Sequence, residues 1–151
     1  FQLVMNRGHY YLVGNHENYD DMSTLRVDRI AHITVLNERR KPLREIKGYQ
    51  QQRTFNVSQY VKEHIYMFGG ESITVTFKAR RSIVNQILDW FDGNVEFTNI
   101  TADNVVCRVR VNHDAFKYWA LQYMQSVKVL SPASLVAEVK EAIEEGLHQY
   151  S

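Results

Sequence analysis

Cysteine is scarce: Cys107 is the single one among 151 residues. An internal disulfide is therefore excluded, and the usage fits a reducing compartment, so a cytoplasmic location is expected. Long hydrophobic runs are also missing. No apolar stretch reaches the roughly 18 residues that span a bilayer, which excludes a transmembrane helix. Neither charge sign is in excess, since 18 Lys and Arg face 17 Asp and Glu for a net of +1. That balance selects no class of partner. Catalytic signatures are lacking too. His9, His16, His32, His64, His113 and His148 form no i, i+4 pair and have no cysteine cluster to complete a zinc site. There is no Gly-x-Ser-x-Gly elbow, phosphate loop or dinucleotide fingerprint. The chain reads as a non-enzyme with no cofactor and no metal. What remains, 44% hydrophobic and 23% charged residues, is the composition of an ordinary globular protein.

The two halves differ. Residues 1–53 hold nine Lys and Arg against six Asp and Glu, whereas residues 54–151 hold nine against eleven. The basic residues of the first half gather at Arg39, Arg40, Lys41, Arg44, Lys47 and Arg53, a modest patch. Phe1-Gln2-Leu3-Val4-Met5 already has the pattern of a strand, so the expectation is a C-terminal fragment with earlier barrel strands outside it. Asn6-Arg7-Gly8 reads as a turn, His9–Val13 as a strand, and Leu25–Arg29 and Ile33–Leu36 as two more. Between 54 and 70 the sequence is polar with apolar anchors. Val57, Tyr60, Val61 and Ile65 fall near helical spacing, with Asn56 or Ser58 as a cap.

The clearest signal lies in 71–151. Ile73, Val75, Phe77 and Ala79 alternate with polar residues as in a half-buried strand. Ile83, Val84, Ile87, Leu88 and Phe91 make a helical stripe closed by Asp92-Gly93. Val95–Ile100 and Val105–Val111 form a hairpin, with Cys107 on its buried face. A helix follows through Phe116, Trp119, Ala120, Tyr123 and Met124, then a strand over Val127–Leu130. Ser131-Pro132 reads as an N-cap and first helical position for a terminal helix. The order is βαββαβ plus a helix, a ferredoxin-like pattern. Trp90 falls off its helical stripe and is a candidate interface residue.

Tyr10-Tyr11-Leu12-Val13-Gly14, with Leu25-Arg-Val-Asp-Arg-Ile downstream, resembles the WYL domain of bacterial transcription regulators, with Tyr10 in place of the usual Trp. Trp119 through Ser131-Pro132 is similar to the C-terminal extension that follows that domain. The resemblance implies an α+β chain in three parts: a partial Sm- or SH3-like barrel (1–53), a linker with a short helix (54–70) and a ferredoxin-like extension (71–151). It also implies an effector site on the barrel, for a small anionic ligand or single-stranded nucleic acid. Operator DNA would be read by a winged helix-turn-helix domain N-terminal to this chain. A homodimer is implied, and no membrane partner.

Within that frame the candidate ligand-binding residues are Tyr11, Arg26 and Arg29, with His9 as an addition. If Leu25 and Val27 face inward, Arg26 and Asp28 share the outer face, and an exposed Tyr beside an Arg suits base stacking and phosphate contact. The same pair also describes an aromatic packed on an arginine stem. Arg29 joins Arg26 at one site only if the chain bends near Asp28–Ile30; otherwise it pairs with Asp28 or Asp20 to fix a loop. A purely structural oligomerisation module without ligand is the alternative function, and an enzyme acting on a small anionic metabolite is a third that the missing motifs disfavour.

Overall fold

A computed structural model describes residues 1–151. The chain is mixed α+β and divides into two compact units. One comprises Phe1–Val61 with Met67–Glu71, the other Lys62–Tyr66 with Ser72–Ser151.

The first unit is built on an antiparallel meander of β1 (Gln2–Asn6), β2 (His9–Asn15) and β3 (Met22–Arg26). Asn6 pairs with His9, leaving Arg7 and Gly8 as a two-residue turn with φ of 47° and 80°. Positive φ at both positions matches the right-handed twist of a hairpin, and glycine adopts it without cost at the second. The β2–β3 loop is closed by Asn15, whose Nδ2 donates to the carbonyls of Tyr19 (2.7 Å) and Asp21 (2.8 Å). Val4, Val13 and Met22 point to one face and form a core with Ile46, Tyr60 and Met67. Tyr60 lies on α1 (Val57–Glu63), which Asn56 caps by accepting from the Gln59 N–H at 3.0 Å. The Tyr60 hydroxyl is hydrogen-bonded to Thr24 Oγ1 at 2.8 Å, so its burial leaves no polar atom stranded.

Three expectations for this region are corrected. The strand expected over Leu25–Arg29 ends at Arg26, and Val27–Arg29 form a 3₁₀ turn closed by the Ile30 N–H on the Val27 carbonyl. Ile33–Leu36 is not a strand: it has no ladder partner, and Val35 is 96% exposed. Leu25 faces outward, because Met22 and Thr24 take the core side and the two-residue period leaves Leu25 on the other.

The second unit contains β4 (Ser72–Arg80), α2 (Val84–Phe91), β5 (Val95–Ile100), β6 (Asn104–Asn112), α3 (His113–Gln122), β7 (Val127–Ser131) and α4 (Ala133–His148). Its strands lie in the order β5-β6-β4-β7, every neighbour antiparallel, which is the ferredoxin-like arrangement. Val75, Phe77, Cys107 and Val109 from the sheet meet Ile87, Phe91, Phe116, Trp119 and Leu135 from the helices in a fully buried core. Helix α2 stops at Asp92 and Gly93, with φ of 33° and 71°. Asn112 caps α3 by accepting from the Ala115 N–H at 3.0 Å. Met124 lies beyond the end of α3 and is half exposed. The start of α4 shifts by one residue, since Ser131 stays in the ladder opposite Thr76 and Pro132 becomes the N-cap. Trp90 packs on Tyr66 of the same unit, ring centroids 4.7 Å apart.

Candidate functional site

The register of β2 on β3 sets Tyr11 directly opposite Arg26, and Val13 opposite Thr24. His9, Tyr11 and Val13 share one face of β2 by the two-residue period. Tyr11 is half-buried against the first unit's core, and the more exposed tyrosine is Tyr10, at 55%, on the other face. Arg26 Nε donates to Asp28 Oδ1 at 3.0 Å and Nη2 to Asp28 Oδ2 at 2.6 Å, a two-pronged ion pair. The same Nη2 lies 3.2 Å from His9 Nδ1. Arginine has only donors, so that histidine nitrogen is the acceptor. The carboxylate raises the Arg26 pKa, and the guanidinium holds the Asp28 carboxyl below its usual range.

The structure thus brings Tyr11, Arg26 and His9 together. It adds Asp28, whose i, i+2 spacing from Arg26 becomes a clasp because the chain leaves the strand there for a 3₁₀ turn. Arg29 sits at the end of that turn, exposed and without a side-chain ion pair.

A cavity of about 610 Å³ opens elsewhere in the same unit, lined by Val13, Asn15, Met22, Leu43 and Phe55 among others. Arg40, Lys41 and Arg53 line it and no acidic residue does. Lys41 Nζ donates to Asn15 Oδ1 at 3.3 Å. These cations are already clustered along the sequence. Their convergence on a cavity depends on the path of residues 30–56, which carries no periodic signal.

No group of His, Cys, Asp and Glu side chains capable of holding a metal is present. Cys107 is fully buried, and burial pushes its thiol up to about 11, far from a reactive nucleophile. No helix is long and apolar enough to cross a membrane.

Residues 1–35 match the WYL domain, and residues 70–147 match the WCX domain. Among solved structures, the proteasome accessory factor B/C (PafBC) of Arthrobacter aurescens is similar, at 18% identity and a TM-score of 0.48. The alignment covers 99% of this chain and 22% of that one, so the present chain spans about a fifth of its length. No curated protein matches. With the WCX match covering more than half of its residues, the chain belongs to the WCX-domain family, with a WYL segment preceding that domain.

Proposed function

We propose that the WYL segment senses an anionic effector, either a small molecule or a single-stranded nucleic acid, at Tyr11, Arg26 and His9, with Arg29 at the rim. In this reading the WCX domain holds two copies together. Effector binding then alters the spacing of helix-turn-helix domains that read operator DNA and lie outside this chain. The functional division follows 1–53 for sensing, 54–70 for connection and 71–151 for pairing. The protein acts without catalysis, in the cytoplasm.

The observation that carries the reading is the cross-strand pair of Tyr11 and Arg26 with His9 on the same guanidinium. An aromatic ring, a fixed cation and an imidazole within one patch suit a phosphate or carboxylate attached to a planar group. Asp28 is the resident anion of that patch, and an incoming ligand displaces it from the guanidinium.

The test is anisotropy of a labelled single-stranded oligonucleotide, with competition by inorganic phosphate, for the wild type beside Arg26→Ala at low and high salt. Salt-sensitive binding that the variant loses supports the site. Undiminished binding by the variant overturns it. The purely structural reading is favoured by one feature, the Arg26–Asp28 pair, which serves equally as a clasp closing the end of β3. Concentration-dependent sedimentation with no stabilisation by any anion would select that reading.

A further inference from the structure

We propose that the open face of the four-stranded sheet in the second unit binds the sugar–phosphate backbone of a single-stranded nucleic acid, without regard to base sequence. This is a second site, on different residues from Arg26 and its neighbours, and does not rest on that reading.

The strands hold most of the positive charge of this stretch. Residues 72–151 contain eight Lys and Arg and nine Asp and Glu, so this stretch has almost no net charge. Five of the eight cations, Lys78, Arg80, Arg108, Arg110 and Lys128, stand on strands, whereas Glu96 is the single acid that does. The two-residue period fixes where they point. Val75, Phe77 and Ala79 of β4, Cys107 and Val109 of β6, and Val129 of β7 enter the core, so the cations between them share the opposite, solvent-facing side. The other acids of this stretch lie on the helices and loops, four of them on α4, while Glu96 is on this same face, opposite Arg108 in the ladder. A nearly neutral sequence has been sorted by its fold into one basic face.

The cations are contiguous. In the ladder Lys78 is directly opposite Lys128, and Thr76 is opposite Arg108. Like charges facing each other across a ladder destabilise a sheet, so the Lys78–Lys128 pair has no structural benefit in the free protein. Of the five cations, Arg110 alone is in an ion pair, with Glu63 at 3.4 Å. Neighbouring strands are about 4.8 Å apart and alternate residues about 6.8 Å, intervals that successive phosphates of one extended strand can match. Thr74 and Thr76 add hydroxyl donors between the cations.

The composition of the face also states the manner of binding. Phe77 enters the core, and Phe97, opposite Cys107, packs against it, so no aromatic ring is offered for stacking and bases are not read. Val106 and the exposed Leu130 lie among the cations and provide apolar contact for unstacked bases. A duplex keeps its base faces stacked inside, which is why a single strand is the better fit.

The experiment is anisotropy of a fluorescein-labelled single strand of about 20 nucleotides, titrated with the full chain between about 50 and 200 mM salt. The wild type is compared with Lys78→Gln/Lys128→Gln and with Arg26→Ala. The proposal expects the double variant to bind at least about tenfold more weakly, with a log–log salt slope reduced by about two. It also expects a melting temperature equal to or above that of the wild type, because the opposed lysines are gone. Equal weakening for oligonucleotides of two unrelated sequences belongs to the same expectation. Unchanged affinity and slope in the double variant, with binding lost in Arg26→Ala, would overturn this proposal and leave the Arg26 site standing. Loss in the double variant alone supports the sheet and removes nucleic acid from the Arg26 site. Tighter binding of the matching duplex, or binding of anionic vesicles with none of the oligonucleotide, also overturns it.

Discussion

At Arg26 a single guanidinium faces three different neighbours: an aromatic ring across the ladder, a carboxylate two residues on, and an imidazole nitrogen from the same strand as the ring. Its behaviour toward an outside anion depends on which partner yields. If a ligand must displace Asp28, then Asp28→Asn frees the fork and raises the affinity for inorganic phosphate, and titration calorimetry is expected to show several-fold tighter binding. Weaker binding would instead make Asp28 the residue that orients Arg26. Cys107 poses a simpler question. It is fully buried among valines with its thiol held protonated, so Cys107→Ser places a hydroxyl without a partner in the core. A loss of about 1–3 kcal/mol is expected by urea unfolding. In the wild type, a disulfide reagent is expected to modify the thiol no faster than the protein opens.

Elements add constraints that single residues lack. Helices α3 and α4 are joined at His113, whose Nε2 lies 3.1 Å from Glu138 and whose Nδ1 lies 2.9 Å from Asp114, while Lys117 shares Glu138 at 3.5 Å. The hydrogen bond to Asp114 chiefly raises the His113 pKa above its ordinary 6.5; burial opposes it, and the charge of Glu138 adds to the rise. A raised folded-state pKa means that this contribution is complete below about pH 6.5 and is lost as pH climbs through the raised value. The melting temperature should therefore fall as pH rises above about 6.5, and His113→Gln should flatten that part of the profile. The N-cap of the same helix gives a pH-independent comparison: Asn112→Ala is expected to cost about 1 kcal/mol.

The elements also show what the sequence could and could not disclose. The strands of the second unit were legible because each alternates cleanly between apolar and polar residues, and its helices because their stripes end at recognisable stops such as Asp92-Gly93. In β3 both phases carry an apolar residue, Met22 on one and Leu25 on the other. The choice is made by Tyr60, more than thirty residues away, whose hydroxyl bonds Thr24. Ile33–Leu36 has strand-forming residues, yet a strand exists only through a neighbour, and composition does not say whether one is available. Tyr11 and Arg26 were legible as a pair; the carboxylate clasp of Asp28 required the 3₁₀ turn, which no local signal announces.

Taken whole, the molecule holds two separate cores with no residue in common. Removing Trp119, which contacts Phe77, Phe91 and Phe116 in the second, is expected to cost about 3–5 kcal/mol as Trp119→Ala. In that variant most of the helical far-UV signal should be lost early, because α2, α3 and α4 all pack on that core.

The boundary between the cores is not a point in the sequence. Lys62–Tyr66 counts with the second unit and Met67–Glu71 with the first, so Ile65 is buried in one core and Met67, two residues later, in the other. The chain is stitched, like thread passing twice through cloth. No single cut can release two intact pieces, since any scission from Lys62 to Glu71 leaves one core without its own plug. Exchange of segments in this stretch must carry both passes of the thread if both cores are to stay whole.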